Sequence, residues 1–270
     1  MREGWPSITA SCVAFARAAA SAAPMTTSSL EDPVAQRLFP WPRGPVGQSI
    51  ARAFSLGLVD HIALRTAAID EALSGGFGQL VLLGAGLDAR AYRLRAIANG
   101  RVFEVDHPAS QRLKLRFARG LAPRARSIDH LAADFLHDDV EALLADAGHD
   151  ASAPTAWIIE GVAVYLPATV TSRLLDVVRA RSAPGSVLAL TYIRASRTAI
   201  ARRVGGILLG ALGEPLGEAF TPDEIAERLR AAGLEVESDT NDVDWCARFG
   251  ASSRLARLFR DERLVISRAP

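Results

Sequence analysis

The sequence predicts an α/β fold in which helices cover both faces of a mostly parallel sheet. Three observations support this prediction. Between residues 79 and 192, apolar segments of strand length alternate with longer segments that suit crossover helices. The apolar segments, such as V-L-L and W-I-I, lack the polar–apolar alternation of a strand with one solvated face, so both faces are expected to be covered. A pair of glycines follows the first strand, where the backbone must turn sharply into the next helix.

Residues 1–77 are predicted to form a helical N-terminal cap. Residues 8–24 are rich in alanine and have the length of a signal peptide, but Arg17 interrupts the apolar run. Because the apolar positions recur at helical spacing, we predict an amphipathic helix rather than a cleaved signal. Residues 31–38 are predicted to form a short helix, and residues 50–73 one or two helices that end at a Gly-Gly stop signal.

Residues 78–270 are predicted to form the sheet domain. Its predicted strands are residues 79–83, 101–105, 127–131, 156–159, 186–192, 234–238 and 263–267, and its predicted helices are residues 89–98, 108–119, 138–147, 167–181 and 221–232. The last two strands are expected to form a hairpin-like antiparallel edge, joined by a long connection over residues 239–261. Residues 194–220 include an apolar, glycine-rich stretch, and we predict that they form a helix or lid inserted over the cleft, with a buried helix that makes no ligand contact as the alternative.

The composition excludes several classes of protein. The chain carries 31 lysines and arginines and 30 aspartates and glutamates, a net charge of +1, which favours neither nucleic acid nor an anionic membrane as a partner. Its two cysteines exclude a disulfide framework and a cysteine zinc site, and they fit a reducing cytoplasm. No apolar run reaches the roughly 20 residues that a membrane span needs. We therefore expect a cytoplasmic protein, whose oligomeric state the composition leaves open.

Two glycines and one acid predict a nucleoside site at the carboxyl edge of the sheet. Gly84 and Gly86 follow the first predicted strand, and Asp106 follows the second, 20 positions after Gly86. In open parallel sheets, glycines at this turn let the backbone approach the ligand, and an acid at this spacing accepts hydrogen bonds from ribose hydroxyls. The combination is typical of an adenine nucleoside site, whereas the glycines alone could serve only packing.

The residues after the glycine pair favour S-adenosylmethionine over a dinucleotide. A dinucleotide site usually has a third glycine, which lets the helix N-terminus hold the pyrophosphate. Here that position is Ala89, and it is preceded by Asp88, whose carboxylate would repel a pyrophosphate. The positive amino group and sulfonium of S-adenosylmethionine would suit this carboxylate. An NAD-dependent oxidoreductase on the same sheet is the alternative from another functional class.

Several sequence blocks, which follow one another over nearly the whole chain, carry a resemblance to a known family. Among them are L-G-A-G-L-D-A-R-A-Y-R-L at residues 83–94, F-E-V-D-H-P at residues 103–108 and I-E-G-V-A-V-Y-L at residues 159–166. With these blocks the chain resembles the leucine carboxyl methyltransferase family of S-adenosylmethionine-dependent methyltransferases, and in its compact length the tetracenomycin-type polyketide carboxyl O-methyltransferases. The resemblance implies a class I methyltransferase, Rossmann-like fold, with a seven-stranded, mostly parallel sheet and an antiparallel C-terminal edge strand.

The candidate cofactor-binding residues lie mostly at strand ends. They are Arg65, Gly84, Ala85, Gly86, Asp88, Asp106, His107, Asp134, Phe135 and Glu160. By the resemblance, the glycine turn would line the methionine part of the cofactor and Asp106 would hold the ribose. Asp134 would accept from the exocyclic amine of adenine, and Phe135 would donate its backbone N–H. Glu160 would lie near the methionine amino group, and Arg65 would reach a carboxylate of the cofactor or the substrate.

Position alone leaves other roles open for four of these residues. Glu160 could be an acid that pairs with an arginine, and Asp134 could be a turn residue. Arg65, taken without the resemblance, would be a solvated surface charge. His107 directly follows the predicted ribose acid, and it could serve only to pack or to cap the next helix.

Three residues are candidates for the acceptor side of the reaction: Arg65, Tyr165 and His61, which lies one helical turn before Arg65. The favoured reaction is methyl transfer to the carboxylate of a polyketide-like small molecule. Because a carboxyl group with a pKa near 4 is ionised at neutral pH, this acceptor requires no base. The alternative is a phenol or alcohol acceptor, which needs a base such as His61 or His107. No metal is expected, because the acidic residues 134–139 fit a solvated helix start.

Overall fold

A seven-stranded sheet forms the centre of the molecule, as the sequence predicts. The structure, a computed structural model, describes residues 8–22, 30–40, 44, 46–47, 50, 57–195, 217–250 and 259–270. The strands are β1 (Gln79–Leu83), β2 (Arg101–Asp106), β3 (Ser127–Ala132), β4 (Thr155–Ile159), β5 (Val187–Ile193), β6 (Glu235–Asn241) and β7 (Glu262–Arg268). Their order is β3-β2-β1-β4-β5-β7-β6. The pairs from β3 to β5 are parallel, and β7 runs antiparallel to both of its neighbours.

Helices precede, connect and follow these strands. They are α1 (Ile8–Ala22), α2 (Pro33–Leu38), α3 (Leu58–Ala72), α4 (Arg90–Arg93), α5 (Pro108–Ala118), α6 (Val140–Asp146), α7 (Ala168–Ala180), α8 (Pro222–Ala231) and α9 (Asp242–Phe249). The described part of the N-terminal 77 residues is mainly helical, and α1 packs against α3 through small apolar side chains such as Ala16 and Ala63. Helix α8 begins with the predicted cap, a capping box in which Thr221 and Glu224 bond reciprocally.

Apolar side chains cover both faces of the sheet, which confirms the interpretation of the strand segments. Every residue of β1 and β4 is buried. On one face, Trp157 belongs to a cluster that includes Leu174 of α7. On the other face, Ile158 belongs to a cluster that includes Leu64 of α3 and Trp245 of α9. Full burial stabilises an aliphatic side chain such as Leu64, Ile158 or Leu174 by roughly 1.5–3 kcal/mol relative to exposure. The two clusters therefore fix the positions of the strands between them.

The strand order has a switch point between β1 and β4. The chain runs outward from β1 to β2 and β3, and then returns to β4 on the other side of β1. Leu82 is level with Glu104 on β2 and with Ile158 on β4, so these three strands end at the same edge. In open α/β sheets, ligands bind at this carboxyl edge beside the switch point.

The C-terminal hairpin confirms the predicted antiparallel edge and adds one detail. Strand β7 lies between β5 and β6, so β6 is the outermost strand. The predicted connection over residues 239–261 was wrong in part, because its beginning extends β6 and then forms α9. The missed signal is N-D-V-D, in which Asn241 and Asp244 form a second capping box.

The predicted helix over residues 89–98 is shorter than expected. It consists of α4 and a 3-10 turn over Arg95–Ile97, separated by Leu94 in an extended conformation. Two arginines of α4, Arg90 and Arg93, both reach Asp70 on α3, which holds this short helix against the cap. Tertiary contacts therefore end the helix earlier than its sequence pattern suggests.

Most of the predicted lid over residues 194–220 lies outside the described residues, which omit 196–216. Its described ends are close together, since Arg194 and Phe220 form an isolated bridge. Gly217 donates its N–H to the carbonyl of Val164 at 2.6 Å, directly beside the loop after β4. Among the helices that the structure describes, none is long and apolar enough to cross a membrane.

Candidate functional site

The glycine turn and the predicted ribose acid are in direct contact. The N–H groups of Gly84 and Ala85 donate to the Val105 carbonyl at 2.8 and 3.2 Å, which ties the turn to the end of β2. The Gly86 N–H donates to Oδ2 of Asp106 at 2.5 Å. Ala85 is buried with its side chain in the sheet cluster, so the turn presents mainly backbone to the cleft.

Asp106 carries a carboxyl group whose pKa is displaced toward neutrality. Burial raises its pKa to about 6, and the bonds from the Gly86 and His107 N–H groups offset only part of this effect. The His107 N–H donates to Oδ1 at 2.7 Å. At neutral pH the carboxylate is still mainly ionised, so it can accept hydrogen bonds from a ligand hydroxyl.

Gly84 has no room for a side chain. Its φ is +81°, and an added Cβ would lie 2.1 Å from Cγ2 of Val162, in the loop after β4. We expect Gly84→Ala to lower the free energy of unfolding by about 3 kcal/mol, because left-handed strain costs about 1 kcal/mol and overpacking adds more. Urea unfolding would measure the loss.

Gly120 is the matched control for this substitution. It has a similar φ of +73°, but an added Cβ would meet no atom within 4 Å. Gly120→Ala should therefore cost only about 1 kcal/mol, the strain alone. Equal losses in the two variants would show that the contact between Gly84 and Val162 has no energetic consequence.

The other cofactor candidates of the second and third strands lie in the loops that follow them. His107 caps α5, because its Nδ1 accepts from the Ala109 N–H at 3.3 Å. Oδ1 of Asp134 accepts from the Leu136 N–H at 3.0 Å, which makes Asp134 a turn residue as well as a candidate. The Phe135 N–H donates to no other residue that the structure describes, so it stays available for the expected bond to adenine.

Glu160, directly after β4, lies among three arginines. Its Oε1 accepts from Nη2 of Arg17 at 2.7 Å and from Nη2 of Arg65 at 2.7 Å, and its Oε2 accepts from Nη1 of Arg90 at 2.7 Å. Burial alone would raise the pKa of Glu160, but the three guanidinium groups outweigh burial and hold the pKa well below its usual range. Glu160 is therefore ionised throughout the physiological range.

Asp88, just before α4, forms an ion pair with Arg90 and is not an unpaired carboxylate. Its Oδ1 accepts from the Arg90 N–H at 2.7 Å, its Oδ2 contacts Nη1 of Arg90, and Nη2 of Arg17 lies 3.8 Å away. Burial would raise the pKa of Asp88, yet the two arginines lower it. The carboxyl group of Asp88, which distinguishes this turn from a dinucleotide site, is thus ionised, and the nearby arginines partly balance its charge.

Arg65 connects the site to the C-terminal hairpin. Its Nη1 donates to Oε1 of Glu262 at 2.5 Å, while its Nε and Nη2 face Glu160. His61 contacts the other oxygen of Glu262 through Nε2 at 2.6 Å, and its Nδ1 lies 2.8 Å from Asp242. The structure thus brings Arg65 to the carboxyl edge, whereas His61 lies behind it with both ring nitrogens engaged.

Tyr165 is partly buried on a 3-10 turn, Ala163–Tyr165, after the Glu160 loop. Gly217 lies close to this turn, because its N–H donates to the carbonyl of Val164, the residue before Tyr165. The structure therefore places Tyr165 next to the end of the predicted lid. Its role toward an acceptor stays a prediction.

Five charged residues of this network were not among the sequence candidates: Arg17, Asp70, Arg90, Asp242 and Glu262. Two of them had a signal in the sequence. Arg17 is an isolated charge in an apolar helix, which is the sequence signal. In the structure it is only 5% exposed, and an arginine is rarely so buried unless it is paired. Arg90 directly follows the G-A-G-L-D-A block. Asp242 and Glu262 are distant in sequence from the motifs, so only the tertiary structure assigns them to the network. Asp70 lies five positions after Arg65 on α3, but its pairing with Arg90 and Arg93 also depends on the fold.

The network offers both charges to a ligand. Guanidinium groups can bind a carboxylate through paired N–H donors, and carboxylates can accept from an ammonium group. Asp106, at the end of β2 on the same carboxyl edge of the sheet, adds an acceptor for hydroxyl groups. Among the described residues, no group of three or more histidines, cysteines and acids is placed to hold a metal ion. The site therefore suits a zwitterionic nucleoside.

Comparison with known proteins points the same way. The model of the leucine carboxyl methyltransferase family matches residues 10–179. A relative from Streptomyces coelicolor, named as a putative S-adenosyl-L-methionine-dependent methyltransferase, is 34% identical over 246 residues, which cover 86% of this chain and 84% of the relative. One from Mycolicibacterium smegmatis, with the same type of name, is 44% identical over 140 residues. That match covers 50% of this chain and 47% of the relative, so the aligned region spans about half of the relative's length.

Solved structures share the fold at low sequence identity. A methyltransferase-like crystal structure from Thermobifida fusca has a TM-score of 0.62 at 18% identity and covers 99% of this chain and 96% of its own. A DUF574 family protein from Streptomyces avermitilis has a TM-score of 0.60 at 18% identity, with 94% and 97% covered.

Proposed function

We propose that this chain, which belongs to the leucine carboxyl methyltransferase family, transfers the methyl group of S-adenosylmethionine to an oxygen of a small molecule, with a carboxylate as the favoured acceptor. Membership of this family favours the methyltransferase over the alternative of an NAD-dependent oxidoreductase. The observation that carries the choice of acceptor is the position of His61, whose two ring nitrogens both face carboxylates in the interior.

The residues present fit the cofactor. The turn at Gly84 leaves bare backbone where any side chain would collide with Val162, and Asp106 lies beside it with an ionised carboxylate. The residues that would hold the cofactor are Arg65, Gly84, Ala85, Gly86, Asp106, Asp134, Phe135 and Glu160, with Asp88 and His107 directly beside them. When bound, S-adenosylmethionine supplies an electrophilic methyl group on a sulfonium.

Glu160 and Arg65 would change partners when the cofactor binds. In the structure they bond to each other, with Nε and Nη2 of Arg65 at 3.1 and 2.7 Å from one oxygen of Glu160. An amino acid group offers one ammonium and one carboxylate, so it can replace one internal ion pair by two new ones without leaving a buried charge unpaired. This exchange suits the methionine end of the cofactor.

The chain's contribution to the reaction is positioning. An ionised carboxylate acceptor is already a nucleophile, so the enzyme needs to align it with the methyl group and exclude water. Alignment of this kind can lower a barrier by roughly 7–11 kcal/mol. Tyr165, Arg65 and the lid over residues 194–220 are the parts proposed to hold the acceptor, which we propose is a flat, polyketide-like acid in keeping with the apolar G-G-I-L-L-G-A-L-G stretch.

A hydroxyl acceptor is the second candidate, and it would need a base. His61 offers no free ring nitrogen, since Nδ1 faces Asp242 and Nε2 faces Glu262. His107 uses Nδ1 to cap α5. His61 thus has no free ring nitrogen, and the Nδ1 lone pair of His107 is engaged by the helix cap, which supports a carboxylate acceptor. Cys12 and Cys246 do not form a disulfide with each other, which supports a reducing compartment, and we propose the cytoplasm.

Radiolabelled methyl transfer would test this function. Purified protein would be incubated with methyl-labelled S-adenosylmethionine and matched pairs of acceptors, aromatic carboxylic acids and the corresponding phenols. We expect label in a methyl ester, which alkali hydrolyses to volatile methanol. Label found only in an alkali-stable ether would contradict the carboxylate acceptor, and calorimetry that detects no binding of S-adenosylhomocysteine would overturn the methyltransferase proposal itself.

A further inference from the structure

The C-terminal hairpin reaches the candidate cofactor site through one side chain, Glu262 at the start of β7. Oε1 of Glu262 accepts from Nη1 of Arg65 at 2.5 Å, and Oε2 lies 2.6 Å from Nε2 of His61. Arg65 has two further donors, Nε and Nη2, and both face Glu160. Two carboxylates therefore hold opposite parts of one guanidinium group and determine its orientation.

His61 is enclosed by two carboxylates. Its side chain is 1% exposed, Nδ1 lies 2.8 and 2.9 Å from the two oxygens of Asp242, and Nε2 faces Glu262. A neutral imidazole has one N–H and one lone pair, so one of these contacts would join two acceptors. An imidazolium donates from both nitrogens and satisfies both carboxylates. The charged ring is therefore the form that fits this geometry.

The surroundings of His61 are consistent with a cation. Its ring stacks on Phe259 with centroids 4.6 Å apart and lies 6.2 Å from Trp245. Burial and the neighbouring Arg65 would lower its pKa, but Glu262 and Asp242 outweigh them and raise it. No other charged residue that the structure describes forms an ion pair with the ring.

We propose that His61, Asp242 and Glu262 are positioning residues of the cofactor site, in which the His61 imidazolium holds Glu262 so that Glu262 orients the Arg65 guanidinium. This inference rests on the proposed function. It assigns a task to two acids that lie outside residues 10–179, the part that matches the family model. It also replaces the expectation that His61 is a base with a different role, that of a fixed cation behind Arg65.

Arg65 would be less constrained without Glu262. All three donor-bearing nitrogens of Arg65 would then be free to turn toward Glu160, where two of them already converge on the single oxygen Oε1. A tighter Arg65–Glu160 pair would have to be broken before a ligand could bind either group. Glu262 of the hairpin thus keeps Arg65 bonded to two acids, so that a ligand can replace Glu160 as a partner of Arg65.

Binding of S-adenosylhomocysteine to full-length variants would test the proposal. Glu262→Gln keeps the shape of the side chain but removes its charge, and we expect its Kd to rise about tenfold, since hydrogen bonds to charged groups contribute on this scale. His61→Gln should give a similar rise. The double variant should also lose about tenfold rather than a hundredfold, because both changes act through one contact.

Glu237→Gln is the matched control. Glu237 is an acid of the same hairpin, but its partner is the exposed Arg268. A Kd for Glu262→Gln equal to that of Glu237→Gln would overturn the proposal, and so would multiplicative losses in the double variant. A purely structural role would lower the melting temperature of Glu262→Gln and leave its cofactor Kd and KM unchanged.

Nitrogen-15 NMR of the unmodified protein provides a readout that needs no folded variant of His61. Both ring nitrogens of His61 should carry protons at pH 7, and a neutral ring at that pH would overturn the proposal. The wild-type Kd separates the two levels of inference. If wild-type protein does not bind S-adenosylhomocysteine, the proposed function fails; if it binds and the variants bind equally well, only the positioning role fails.

Discussion

Replacing Asp106 by asparagine is expected to weaken S-adenosylhomocysteine binding about 100-fold. A carboxylate that accepts from two ribose hydroxyls loses charge in this variant, and two such bonds contribute about 3 kcal/mol together. Asparagine keeps one acceptor oxygen, which maintains the glycine turn when it accepts from the Gly86 N–H; its amide Nδ2 then faces the His107 N–H, which loses its side-chain acceptor. Isothermal titration calorimetry at pH 8 would measure the change.

The pH dependence of binding gives this prediction a second, independent readout. The carboxyl group of Asp106 has its pKa raised to about 6 by burial. The protonated form loses acceptor capacity, so wild-type affinity should fall as the pH drops through 6, by about tenfold at pH 5. Asp106→Asn should lack this decrease. Asp129→Asn, which alters an acid of β3 that pairs with Arg101, is the control and should bind like wild type at every pH.

A wild-type affinity that stays constant between pH 5 and 8 would show that Asp106 does not contact the ligand in its ionised form. A Kd for Asp106→Asn within threefold of the control would lead to the same conclusion. The two results together would remove the ribose acid from the proposed site, while the family membership of the chain would stand.

Replacing Glu160 by glutamine is expected to cause the largest loss of stability, about 3–5 kcal/mol, because it leaves buried guanidinium groups without their shared counterion. Arg17, Arg65 and Arg90 all donate to this carboxylate. The fall in the urea midpoint, at an unchanged slope of free energy against urea, would measure the effect. Glu71→Gln, which breaks the exposed pair with Arg248, should change stability by less than about 1 kcal/mol.

Acid should reduce the difference between wild type and Glu160→Gln. The pKa of Glu160 is held well below its usual range by the three arginines, which outweigh burial. A lowered pKa in the folded state contributes stability that is present above the pKa of the unfolded chain and is lost as the pH falls toward the folded value. The stability advantage of the wild type should thus begin to decrease below about pH 4 and continue to decrease toward the lower pKa of the folded state. A deficit that is the same at pH 3 and pH 7 would contradict this account.

Local patterns were sufficient to predict the sheet and its glycine turn. The strand β1 was predicted with its observed bounds, because a buried apolar segment that ends in glycine has few alternatives. Helix α4 was predicted too long, since Leu94 and the ion pairs to Asp70 end it in a way that no local pattern records. Helix α9 was missed although its capping box is readable in the sequence.

The place of a candidate residue in the fold was predictable where the residue belongs to a motif. Its ion pairs with charged residues far along the chain were not predictable. Glu160 was proposed both as a ligand residue and as the partner of an arginine, and the structure shows the second arrangement, with three arginines rather than one. Glu262 is 197 positions from Arg65. No spacing rule connects two residues at that distance, so their pairing required the fold.

The place of β7 in the sheet has a consequence for the order in which the protein matures. Among the strands that the structure describes, β6 pairs only with β7, which is synthesised after it. While the ribosome still holds β7, the growing chain can form the parallel strands and the glycine turn, yet Arg65 lacks its second acid. We therefore expect a nascent chain to orient Arg65 between its two acids only after β7 has emerged from the ribosome.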